Sequence, residues 1–260
     1  MCTIALLLGV ADLPLIIAAN RDELYARPTR PPERLGPGLV GGVDELSGGT
    51  WLALHRDGRF AAVTNQRALD TPPPGLRSRG LAVKELAAAE DQHAYVAALD
   101  PRAYASMNLV WGDAERVSIA YCRQTTGEKD IEVLFPGVHV LCNDRLGAPG
   151  FPRGERLELA IRASLADSKQ WAHLTRDITA ALGDHTKLDL EQVRDAGGPA
   201  TAHLPPELAR ELTATCIHSE HYGTRSSSLI AIESGRVAHY LHADGSPCTA
   251  AFEDGRDLFE

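Results

Sequence analysis

The chain predicts an α+β fold: antiparallel sheets with packed helices, residues 1–260 forming a single domain. Three observations carry that reading. Apolar strand patterns crowd both ends of the chain, helical spacing fills the middle, and no repeat, low-complexity tract or linker interrupts the 260 residues. A domain of this length buries roughly 70–75% of the surface its unfolded chain exposes, so it needs no covalent staples.

The elements follow in order. Residues 2–8 and 14–19 read as strands around a turn near Ala11-Asp12. Their nearly continuous apolar runs suit strands covered on both faces. Proline and glycine density over 27–48 predicts an irregular loop. Residues 51–55 and 60–64 flank Arg56-Asp57-Gly58-Arg59, a hairpin signal. Residues 70–79 form a second Pro-rich loop, and 81–99 carry helical spacing. Pro101 can open a further short helix. Strands are predicted at 107–111, 117–121, 131–135 and 138–142, the last two joined as a hairpin by Pro136-Gly137. Residues 154–183 read as two helical pieces meeting near Ser168, and another short helix follows Pro205-Pro206. Strands return at 227–232, 237–242 and 247–252.

Composition narrows the function. The net charge is −9 and no basic cluster stands out, which argues against a nucleic-acid partner. The five cysteines are odd in number, widely spaced and free of any Cys-x-x-Cys, so a reducing cytoplasm fits best. No His, Cys or Asp set has ligand spacing in sequence, and no metal is expected. Asp12 and Pro14 break the apolar run over 4–19, which therefore reads as strands and not as a signal or transmembrane helix.

Cys2 is the most informative position. If the initiator Met is removed, one residue carries both a thiol and a free α-amine. The amine titrates near ~7.7–8.0 and the thiol near ~8.5, so nucleophile and base are poised together. A buried structural Cys is the alternative. Asn20-Arg21-Asp22-Glu23 ends the strand expected to pair with the Cys2 strand. Asp22 is placed to hold the protonated amine, and Arg21 to depress the thiol pKa or hold an anionic substrate. Asn65 and Asn143 each follow an apolar strand, where an amide can serve an oxyanion or simply form a turn. Arg225 precedes a strand and can bind a carboxylate, orient the nucleophile or form a structural ion pair.

The ordered set Met-Cys, Asn-Arg-Asp-Glu, Gly-Gly-Thr-Trp, Thr-Asn-Gln-Arg, Ser78-Arg79-Gly80, Asn108-Leu109 and Tyr-Gly-Thr-Arg-Ser resembles the NRDE family, also called the transport and Golgi organisation family. The matches run from residue 1 to about residue 232. That family is similar to the N-terminal-nucleophile (Ntn) hydrolases, including choloylglycine hydrolases and penicillin V acylases. The resemblance implies a four-layer αββα sandwich with the nucleophile opening a central strand. It implies Cys2 as nucleophile, Asp22 as the amine-holding aspartate, Asn143 as the oxyanion asparagine and Arg225 as a late-strand arginine near the nucleophile. Asn20, Arg21 and Asn65 are assigned to substrate binding. One departure is visible: the hydrolases carry an Arg a few residues before that Asp, where Ala19 and Asn20 stand here.

Two activities follow as expectations. One is hydrolysis of an amide or thioester by Cys2 on a small-molecule substrate, with no cofactor required. The other, suggested by the family's links to haem movement and to lipid or acyl-CoA metabolism, is non-catalytic binding and transfer. Haem, or an acyl-CoA or lipid, would then be the ligand, with an aromatic or His218, His221, His239 or His242 in its pocket.

Overall fold

The computed structural model describes residues 2–67, 72–194 and 204–260. Met1, whose removal the N-terminal mechanism requires, and the opening of the 70–79 loop lie outside them. The chain begins with β1 (Cys2–Leu8), β2 (Leu15–Leu24), β3 (Thr29–Gly36), β4 (Leu39–Asp44), β5 (Leu52–His55) and β6 (Phe60–Asn65). Helices α1 (Arg79–Ala88) and α2 (Gln92–Ala98) follow. Then come β7 (Met107–Gly112), β8 (Val117–Cys122), β9 (Lys129–Val133) and β10 (Gly137–Leu141). Helices α3 (Pro152–Asp167), α4 (Trp171–Leu182) and α5 (Pro206–Glu211) precede β11 (Tyr222–Glu233), β12 (Arg236–Asp244) and β13 (Glu253–Asp254).

The strands form two antiparallel sheets. One has the order β10-β1-β2-β11-β12-β13, the other β3-β4-β5-β6-β7-β8-β9. Strand alternation sorts the side chains by layer. Ile4, Leu6, Ile17 and Ile230 of the first sheet meet Leu54, Phe60 and Val110 of the second in the core between the sheets. The other face of the first sheet, with Leu7, Ile16 and Leu229, carries α3 and α4 through Leu157, Ile161, Leu174 and Ile178. The outer face of the second sheet, with Met107 and Leu109, carries α1 through Ala82, Val83 and Leu86. The result is the αββα sandwich that the resemblance implied. Each fully buried Leu or Ile in these layers is worth about 1.5–3 kcal/mol of transfer free energy.

Four expectations change. The 27–48 segment forms β3 and β4 instead of an irregular loop. Pro31 and Pro32 are tolerated because β3 is an edge strand, and Gly38 turns the chain at φ +67°. The helix expected over 81–99 is two helices, because the Asp91 carboxylate accepts from the Ala94 N–H and starts a new one. Pro136-Gly137 does not close a hairpin: β9 pairs with β8 in one sheet, and β10 pairs with β1 in the other. The link crosses between layers, with Leu134 buried in the core between them. Residues 247–252 form turns, and only Glu253–Asp254 pairs with β12. Among the described residues no helix is long and apolar enough to cross a membrane.

Candidate functional site

Cys2 sits opposite Arg21 in the β1–β2 ladder. Residues directly opposite share a face, so both project toward the gap between the sheets, in line with Ile4 and Ala19. There the apolar core gives way to a cavity of about 230 Å³, whose walls include Cys2, Arg21, Asp22, Asn65, Arg79 and His242. The Gly-Gly-Thr-Trp and Ser-Arg-Gly motifs meet on its rim. A Cβ on Gly49 would lie 2.3 Å from the carbonyl carbon of Gly80, so only glycine permits this backbone-on-backbone approach. Thr50 N–H donates to the Gly80 carbonyl at 3.1 Å and closes the contact.

The electrostatics follow from burial. Cys2 is 9% exposed, and desolvation pushes its thiol above the ordinary value. The negative charge of Asp22 adds to that rise. Arg21 and a hydrogen bond from the Asp22 backbone N–H work against it. The Asp22 carboxyl is also raised by burial, opposed by the buried Arg153 guanidinium and by the Thr224 hydroxyl, which donates to Asp22 Oδ1 at 2.7 Å. Among the described residues no carboxylate lies within ion-pair distance of Arg21 or Arg79, whereas Arg27 on the same wall is clamped by Asp44 at 2.6 Å. Arg79 Nη1 donates to the Ser106 carbonyl at 3.3 Å, so its charge, like that of Arg21, has no acidic counterpart there.

Three of the expected site residues are engaged elsewhere. Asn20 points to the opposite face of the sheet, as period-2 alternation from Arg21 requires. Its Nδ2 donates to the carbonyls of Leu182 and Thr215, both at 2.9 Å, and its Oδ1 accepts from Ser227; it does not line the cavity. Asn143 is 1% exposed and stands behind the wall. Its Nδ2 donates to the Asn65 carbonyl at 2.9 Å, and its Oδ1 accepts from Arg153 Nη2 at 2.6 Å. Arg225 lines the cavity, but its guanidinium donates to the carbonyls of Leu24, Tyr25 and Arg27 and to Thr29 Oγ1. It clamps the turn that leaves β2. The register shift between Thr224 and Ser226 is a bulge that re-aims this residue.

Sequence reasoning missed Arg153, which is 2% exposed on the apolar side of α3. A single Arg in a helical pattern carries no signal that its face is buried. Arg79 was visible only as part of a motif. Of the four histidines considered for haem, His242 alone lines the cavity. His239 stacks on Trp171, and His221 is exposed beside Glu220. His218 belongs to a different cluster, with His185, Cys216 and Cys248, which the expectation of no metal-ligand set did not foresee.

Comparison with known proteins shows the family and the fold. The profile of the family "Transport and Golgi organisation 2" matches residues 1–243. A Transport and Golgi organization protein 2 homolog of Bos taurus is 30% identical over 235 residues, covering 85% of this chain and 82% of that protein. The Homo sapiens homolog is 28% identical over 239 residues, with the same two coverages. Among solved structures, a mutant conjugated bile acid hydrolase from Clostridium perfringens superposes with a TM-score of 0.54 at 11% identity, covering 100% of this chain and 94% of that one. Penicillin V acylase from Agrobacterium tumefaciens gives 0.52 at 12% identity, covering 94% and 83%. At such identities these two share the fold.

Proposed function

Because the chain belongs to the Transport and Golgi organisation 2 family and is built on the fold of Ntn hydrolases, we propose that it cleaves an amide or thioester with Cys2 as an N-terminal nucleophile. The observation that carries the reading is the placement of the Cys2 thiol at the mouth of β1, in a cavity shared with Arg21, Asp22 and Arg79.

With Met1 removed, the α-amine of Cys2 takes the thiol proton and the sulfur attacks the substrate carbonyl carbon. Asp22 holds the resulting ammonium, itself positioned by the Thr224 hydroxyl. The Asn65 side chain on the cavity wall donates to the oxyanion, and Asn143 fixes Asn65 from behind through its carbonyl. The amine returns the proton to the leaving nitrogen or sulfur as the carbonyl carbon releases it. Water then hydrolyses the Cys2 thioester and frees the acid. Arg21 and Arg79 suit a substrate with an anionic group near the scissile bond. An odd number of widely spaced cysteines fits a cytoplasmic site of action.

Binding and transfer of haem or an acyl-CoA on the same fold is the second reading. His242 is the observation in its favour, since its Nε2 is buried at the cavity without a hydrogen-bond partner. The cavity itself, about 230 Å³, lies below the roughly 300–1,000 Å³ usual for sites that enclose a drug-sized ligand, and so favours a small reacting group.

Intact mass and turnover on protein from its native host test the proposal together. Loss of Met1, with acyl-amide or acyl-thioester hydrolysis that disappears in Cys2→Ser, supports it. Retention of Met1 on folded protein sinks the N-terminal mechanism. A Soret shift at near-stoichiometric haem would then favour the second reading, and its absence would remove haem from that reading.

A further inference from the structure

Away from the cavity, four side chains from three separate segments converge. His185 follows α4, Cys216 and His218 precede β11, and Cys248 follows β12. One ligand atom from each lies within 4.8 Å of all the others. Cys216 Sγ is 3.7 Å from Cys248 Sγ and 3.6 Å from His218 Nε2, and His218 Nε2 is 3.2 Å from Cys248 Sγ. A tetrahedral zinc with Zn–S near 2.3 Å and Zn–N near 2.0–2.1 Å places its ligand atoms about 3.3–3.8 Å apart. Three of the six edges are therefore already at or close to tetrahedral lengths.

From this geometry we propose that His185, Cys216, His218 and Cys248 form a structural zinc site. Two thiolates and two imidazoles in a tetrahedral arrangement select zinc among the common divalent ions. All four coordination positions are filled by protein, which makes the site closed and structural, with no position left for a substrate. His185 also has its supporting contact: its Nδ1 is 3.1 Å from the Cys216 carbonyl oxygen, and donation there leaves Nε2 facing the metal. Zinc binding displaces a proton from each thiol and leaves both imidazoles neutral.

The site has a structural task. It pins the end of β12 and the loop after α4 to the segment that enters β11. Cys216 N–H already donates to the Asp184 carbonyl at 2.9 Å. Ile217, between the two ligands of that segment, donates its N–H to Thr224 Oγ1 at 2.9 Å, and the same hydroxyl donates to Asp22. The metal thus braces the strand entry on which the Asp22 hydrogen bond depends. This proposal is independent of any hydrolytic activity.

The test is metal analysis and cobalt substitution on the full chain, purified under reducing conditions. One equivalent of zinc per chain is expected by mass spectrometry. Metal-free protein titrated with Co²⁺ should develop thiolate-to-cobalt charge-transfer absorbance and the intense d–d bands of a tetrahedral S₂N₂ site. Cys248→Ser, an exposed position suited to a folded variant, should lose the charge-transfer intensity of one thiolate. It should also weaken metal affinity by more than the about 10–100-fold typical of losing a supporting contact. His185→Ala should weaken it similarly and keep both thiolate bands. Absence of a charge-transfer band, or a band unchanged in Cys248→Ser, overturns the proposal. So does a Cys216–Cys248 disulfide that persists after purification under reducing conditions.

Discussion

Arg153 Nη2 lies 2.6 Å from Asn143 Oδ1, and the same Asn143 donates to the Asn65 carbonyl at 2.9 Å. A guanidinium buried on α3 is thereby connected, through one side chain, to the wall of the cavity that holds Cys2. Its other arm donates to the Leu212 carbonyl at 3.0 Å, and its charge faces the Asp22 carboxyl.

Arg153→Met should therefore destabilise the protein by about 1–3 kcal/mol, because it leaves the buried Asn143 Oδ1 and the Leu212 carbonyl without their donor. Asn143→Ala should cost about 1–3 kcal/mol by orphaning the same guanidinium. In urea denaturation the double variant should lose less than the sum, since both changes break one network. Strict additivity would show that the two act separately.

The Cys2 thiol is held above its ordinary pKa by burial. Its alkylation by iodoacetamide should rise with pH and keep rising beyond the midpoint of an exposed thiol. Peptide mapping of the labelled protein would follow Cys2, with glutathione labelled in parallel as the exposed-thiol reference. A Cys2 midpoint at or below that of glutathione would contradict the assigned direction.

Arg21 and Arg79 face the cavity with no carboxylate partner in ion-pair range among the described residues. Once a substrate is found, Arg21→Ala and Arg79→Ala should each raise KM roughly tenfold or more for an anionic substrate, the scale of one charge-assisted hydrogen bond. A neutral analogue should be much less affected. Equal losses on both substrates would assign the arginines to the nucleophile instead.

His242 is pushed down to about 4 by burial, with Asp244 opposing the shift. The folded chain thus refuses a proton that the unfolded chain accepts below about pH 6.5. In this window the unfolded state binds more protons, so stability falls as pH drops from about 6.5 toward 4. His242→Gln should flatten this part of the curve in thermal unfolding at stepped pH. A variant curve parallel to wild type would place the dependence elsewhere.

Gly49→Ala should cost about 1–3 kcal/mol and disturb the cavity rim, because the added methyl meets the Gly80 backbone. Gly48→Ala is the contrast. Its Cβ would meet nothing within 4 Å, so its cost is confined to its φ of +68°. Thermal midpoints, together with ligand or substrate affinity, would separate the two, since only Gly49→Ala should impair both.

Much of the architecture was legible in the chain. Apolar runs at 2–8 and 14–19, the Ser168 break and the strand patterns at 227–232 and 237–242 mark β1, β2, the α3–α4 junction and the β11–β12 pair, because local periodicity reports local structure. The proximity of Cys2 to Arg21 and Asp22 was legible too, since an antiparallel hairpin brings those ends together. What the tertiary structure alone decided depends on which face and which sheet each residue joins. It sent Asn20 to the helical side, turned Arg225 into a clamp at a bulge, and set Asn143 behind Asn65. It also carried β9 and β10 into different sheets and gathered His185, Cys216, His218 and Cys248, whose spacing in sequence shows no ligand pattern. Local sequence fixes period and turn, whereas a convergence of distant residues is set by packing between layers, which no local pattern encodes.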